Sequence, residues 1–99
     1  MWACENRKSW QDSSMTPSEA LADVRGYAGA GRIRLTRHAE RRMEDRGLVF
    51  RDLRSALVNA RQCSALPEER WKVCGPDASG DELTLVVLLE DGVIVVTVF

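Results

Sequence analysis

The chain's single histidine, His38, stands four residues before Arg42, which stands four before Arg46, in the run RHAERRMEDRG over residues 37–47. Imidazole titrates in the neutral range and can take or give a proton, and a guanidinium grips a phosphate through paired N–H bonds. Such groups can cleave RNA without a metal. A base removes the proton of the 2′-hydroxyl, an acid protonates the leaving oxygen, and cations stabilise the crowded phosphorane. His38 is therefore the candidate for proton transfer, and Arg42 and Arg46 are the candidates for holding the scissile phosphate. Arg32, Arg34, Arg70 and Lys72 project from expected outer strand faces and can track the backbone of a single strand of RNA. Arg41 adds a further cation, and Trp71 could stack a base if it lay exposed, although a place in the core suits it better.

A structural account of the same residues stands beside this one. A histidine in the first turn of a helix next to the core often packs and bonds internally, and Arg42 and Arg46 can pair with Asp45, Asp52 or strand carbonyls. A third account is a binding module without catalysis, holding nucleic acid or protein on its arginine surface. The chain has no glycine-rich phosphate loop and no GxSxG elbow, so nucleotide phosphoryl transfer and serine hydrolysis are poor fits. Cys4, Cys63 and Cys74 are widely spaced, with no CxxC and one histidine to help, so neither a metal nor another cofactor is expected. Inert thiols in a reduced, cytoplasmic setting fit best.

The total charge of −1 conceals a segregation: residues 32–54 hold eight arginines against four carboxylates. A local excess of this kind points to an anionic partner more directly than a high total does, although a solvated helix face also accounts for it. At 99 residues the chain makes one small domain. No stretch approaches the ~20 apolar residues of a membrane span, and the opening MWACENRKSW lacks the pattern of a secretory signal. A soluble protein with no membrane contact is expected.

The elements that must position these groups follow from spacing. Residues 1–15 have neither helical nor strand period and form an N-terminal arm, and residues 16–99 form the domain. TPSE at residues 16–19 is a capping box opening a first helix that ends in the Gly29 to Gly31 region, with Leu21, Val24 and Ala28 on one face. Residues 32–35 alternate as a short strand. Thr36 caps the histidine helix, Gly47 ends it, and Ala39 and Met43 form its core line. Glu40, Glu44 and Asp45 fall on the exposed arc, where they can pair with guanidiniums. Leu53, Ala56, Leu57 and Ala60 share the face of a third helix from about Phe50 to Gln62. From Arg70 the period becomes two, giving strands near residues 70–74, 81–90 and 93–99, the last two joined by a two-residue Asp91-Gly92 turn.

The result is an α+β domain in the order α-β-α-α-β-β-β, with a mostly antiparallel sheet of about four strands and a helical layer on one face. In TLVVLL and VIVVTV both alternate faces are apolar, so a second cover is expected. The first helix, the arm, a twin subunit forming a homo-oligomer through the apolar sheet face, or another protein can supply it.

The runs RIRLTRHAERRMEDRGL, ERWKVCGPD, ELTLVVLLEDG and VIVVTVF resemble the bacterial domain of unknown function 4258 over about residues 32–99. The most specific part is HAxxRMxxRG (His38, Ala39, Arg42, Met43, Arg46, Gly47), with landmarks at Trp71, Gly75 and Thr97. Members of that family are similar in layout to small toxins of the RelE, BrnT and MqsR type. The resemblance implies a RelE-toxin-like fold and a toxin of a toxin–antitoxin pair, an endoribonuclease acting on messenger RNA and held inactive by a cognate antitoxin protein.

Overall fold

A computed structural model describes residues 15–99, and the proposed arm with Trp2 and Trp10 lies, apart from Met15, outside the described residues. The elements are α1 (Pro17–Gly29), β1 (Ile33–Leu35), α2 (Arg37–Arg46), α3 (Phe50–Val58), β2 (Gln62–Leu66), β3 (Arg70–Pro76), β4 (Glu82–Leu89) and β5 (Val93–Val98). The protein is α+β. Its strands form one mixed sheet in the order β1-β5-β4-β3-β2, with β1 parallel to β5 and every other pair antiparallel.

The helix ends form where the side chains dictate. Thr16 Oγ1 accepts from Glu19 N at 3.2 Å while Glu19 Oε1 accepts from Thr16 N at 2.8 Å, a reciprocal capping box. Thr36 Oγ1 accepts from Ala39 N at 3.1 Å, and α2 stops at Gly47, whose φ of 68° lies in the left-handed region that a β-carbon disfavours. Asp52 ties the start of α3 to the β3–β4 loop: Oδ2 accepts from Val49 N at 3.1 Å and Oδ1 from Ala78 N at 3.2 Å.

One cluster of buried residues joins the helices to one sheet face. Ala20, Val24 and Ala28 of α1, Ala39 and Met43 of α2, and Leu53, Ala56 and Leu57 of α3 meet Val73, Leu85, Val87, Val93, Val95 and Val98. Each fully buried leucine or valine there contributes about 1.5–3 kcal/mol. Helix α3 approaches β3 at Gly75, where an added β-carbon would lie 2.2 Å from the carbonyl oxygen of Ala56. Ala56, Ala60 and Gly75 are small because the backbones meet there.

Two expectations are corrected, the strand count and the hairpin turn, and one of the alternatives for the second cover falls away. The sheet has five strands rather than about four, because the third helix stops at Val58 instead of near Gln62, and residues 62–66, beyond Gln62 assigned to no element, form β2 at the sheet edge. Only Cys63 and Leu66 of that strand are even half-buried, so it carries no alternation to announce it. The first helix does not cover the second sheet face: α1 packs in the same layer as α3. The hairpin turn has three residues, since Leu89 pairs with Val93 and leaves Glu90, Asp91 and Gly92 between them.

The doubled apolar pattern of β5 has a local cause. Val86 pairs with Thr97 and Val87 with Val95, so Val96 is an extra residue, a β-bulge. Past the bulge the alternation inverts. Val93, Val95 and Val98 face the helices, whereas a regular strand would have placed Thr97 there.

Candidate functional site

Helix α2 is held against the flank of β5. Strand β1 accompanies β5 only over Val93–Val95, so past that point the carbonyls of β5 need other donors. Thr36 supplies two, its backbone N–H to Val95 O at 3.1 Å and its hydroxyl to Val96 O at 2.9 Å. Arg42 supplies the next, with Nε donating to Val98 O at 3.1 Å. The helix thus stands in for a strand along the second half of β5, and the stripe of His38, Arg42 and Arg46 runs along that margin. Steps of four residues advance it by about 6 Å each.

The three members of the stripe differ in environment. His38 is exposed and makes no ring hydrogen bond among the described residues. Arg42 is half-buried and anchored by Nε, which leaves its terminal nitrogens as the groups that can meet a ligand. Arg46 is exposed in the last turn, where its charge complements the carbonyl end of the helix dipole. Asp52 is engaged in capping, so it does not pair with either arginine. Among the described residues the ion pairs are Arg32–Asp91 at 3.5 Å and Arg70–Glu68 at 3.7 Å, and Glu40, Glu44 and Asp45 make none.

The remaining cations are dispersed. Arg41 is exposed on α2. Arg32 stands at the end of β1 remote from α2, beside the hairpin turn, with a carboxylate as partner. Arg34, opposite Ile94, and Lys72, opposite Val86, project from the sheet face turned away from the helices. They are three strand spacings apart, about 14 Å across the sheet. Arg70 shares that face at the start of β3. Trp71 does not: it is 8% exposed and packed in the core, the place the sequence favoured for it over a stacking surface. Among the described residues the exposed aromatic of that open face is Phe99, 53% exposed and not among the residues the sequence singled out. Regular alternation from Val93 would have sent it into the core, and only the bulge turns it outward.

Neither described cysteine is set up as a nucleophile. Cys63 pairs with Val73 and Cys74 with Gln62, so the two thiols occupy opposite faces and remain free. Burial pushes the Cys63 thiol up to about 11, which keeps it protonated at neutral pH. Alkylation of Cys63 by iodoacetamide at pH 8 should run one to two orders of magnitude slower in the folded chain than in urea, roughly the ratio of thiolate populations. Peptide-resolved mass spectrometry reads it, and equal rates would contradict the burial. The folded form binds this proton more tightly than the unfolded chain does. Stability from this group is therefore fully present below the unfolded thiol's range and lost as pH rises toward about 11.

Among the described residues no cluster of His, Cys, Asp and Glu is arranged to hold a metal ion, and no helix is long and apolar enough to cross a membrane. A family model described as a domain of unknown function (DUF4258) matches residues 35–99, from the last residue of β1 through α2, α3 and the remaining strands. No curated protein sequence matches the chain with significance.

Proposed function

The chain belongs to the DUF4258 family, and we propose that its α2 stripe serves metal-independent cleavage of RNA, as the toxin of a toxin–antitoxin pair acting on messenger RNA. His38 carries the proton, and the guanidiniums of Arg42 and Arg46 hold the scissile phosphate. The observation behind this reading is the condition of His38, an exposed imidazole without an internal partner among the described residues, one turn from a guanidinium fixed in orientation by Val98 O. A structural histidine would be packed and bonded. A guanidinium pinned through Nε keeps its other N–H groups in one direction, which lowers the cost of organising them around a phosphate. The cognate antitoxin is then a protein that covers this margin.

A second reading, a binding module without catalysis, is favoured by the same Arg42 contact, since its Nε already has a structural use. Purified protein incubated with total RNA in excess EDTA separates the two. Discrete fragments accumulating with time are expected. Intact RNA that is nevertheless bound, with affinity falling steeply as salt rises, would replace the first reading by the second. Intact and unbound RNA removes both.

A further inference from the structure

The sheet face turned away from the helices is built for more than solvent. Val86 is only 7% exposed yet stands apart from the helix-side core, flanked in register by Lys72 on β3 and Thr97 on β5. Around it, Leu66, Lys72, Thr84, Val86 and Phe99 line a shallow groove of about 390 Å³. Its floor is aliphatic, one wall is a half-exposed benzyl ring, and its rim is an ammonium. Phe99 is held there by its backbone, with Phe99 N donating to Thr84 O at 2.9 Å. The sheet therefore fixes the backbone that carries the ring on this face.

We propose that this groove is a nucleobase site, in which a base of single-stranded RNA stacks on Phe99 while Lys72 takes an adjoining phosphate and Arg34, three strands across the sheet, takes one farther along the chain. The proposal rests on the reading of RNA as the ligand and adds where, away from the α2 stripe, the strand is gripped. Three features select this occupant. A flat unsaturated ring can use an aromatic face that an aliphatic side chain leaves largely unmatched. The face is cationic, with Arg34, Arg70 and Lys72 against one strand carboxylate, Glu82, at the far end of β4. Among the described residues only Arg70 of these cations forms an ion pair, with Glu68 at 3.7 Å. Stacking tolerates any base, so the site would grip RNA with weak sequence preference.

The test uses the full chain carrying His38→Gln, so that RNA is not consumed, and a fluorescein-labelled oligouridylate of about eight nucleotides, within the usual span of such sites. Fluorescence anisotropy is compared for this protein and for versions adding Phe99→Leu, Phe99→Trp or Lys72→Gln, with thermal midpoints recorded to verify folding. Phe99→Leu should weaken binding by about tenfold or more, and Phe99→Trp should preserve it. Lys72→Gln should weaken binding and lower the salt slope by about one. Tight binding indifferent to Phe99→Leu overturns the base site while leaving RNA as the ligand. Absence of binding in every version removes the RNA reading and this site with it. Labelled oligoglutamate bound as tightly as oligouridylate would assign the face to an acidic protein segment. A dimer in light scattering that Phe99→Leu dissociates would assign it to a second copy of the chain. Either result overturns the proposal.

Discussion

Gly75→Ala should destabilise the protein by about 2–3 kcal/mol, near the upper end of what overpacking a core usually costs. The added methyl would stand 2.2 Å from Ala56 O and 3.0 Å from Ala60 Cα, both backbone atoms of the α3 segment, so no side-chain rotation relieves it. Relief requires α3 to move off β3. That movement is resisted by Ser55 Oγ donating to Pro76 O at 3.1 Å, by Asp52 holding Ala78 N at 3.2 Å, and by Leu53 and Leu57 in the core. Arg25 adds a further tie from α1, with Nε donating to Ala60 O at 2.9 Å. For a domain of this size each kcal/mol shifts the thermal midpoint by about 4–8 °C, so a fall of roughly 8–24 °C is expected. Urea denaturation followed by circular dichroism gives the free energy directly. A loss under about 0.5 kcal/mol would mean that the helix and strand are not in backbone contact.

His38→Gln should lower the rate of RNA cleavage by two to four orders of magnitude, the usual worth of a positioned acid or base. Stability should change by no more than about 0.5 kcal/mol, as expected of an exposed side chain without internal bonds. Arg42→Gln provides the contrast. It removes a phosphate-directed cation and also the donor to Val98 O, so both rate and stability should fall, the latter by about 1–3 kcal/mol for a part-buried carbonyl left unpaired. Cleavage rates and denaturation curves measured on the same preparations distinguish the roles. Wild-type cleavage by the His38→Gln protein would dismiss imidazole as the proton carrier. An Arg42→Gln protein that loses stability but cleaves normally would leave Arg42 a purely structural residue.

Local chemistry that announces itself was readable in the chain. Thr16 with Glu19, Thr36 and Gly47 mark helix ends through their own hydrogen bonds and backbone angles, and the structure places the ends where those residues stand. The core lines of α2 and α3 were also visible, because buried positions on a helix recur at a period no other element shares. Strand β2 was hidden because an edge strand with little burial has no reason to alternate. The bulge at Val96 was hidden for a different reason. In VIVVTV, valine and isoleucine suit either face, so apolarity could not reveal where the alternation slips by one. That slip removes Phe99 from the core side. The α2 stripe was legible as a spacing, but not its attachment to β5, because which carbonyls lack a strand partner is a property of the assembled sheet.

The attachment of α2 to β5 has a consequence for partly unfolded forms. Amide exchange in α2 should report on the sheet as well as the helix, because an excursion that detaches Thr36 and Arg42 uncovers the carbonyls of Val95, Val96 and Val98 at once. The molecule would then offer bare extended backbone beside valines, a template for self-association that the closed form conceals. In the closed form the segment bearing the histidine covers that edge.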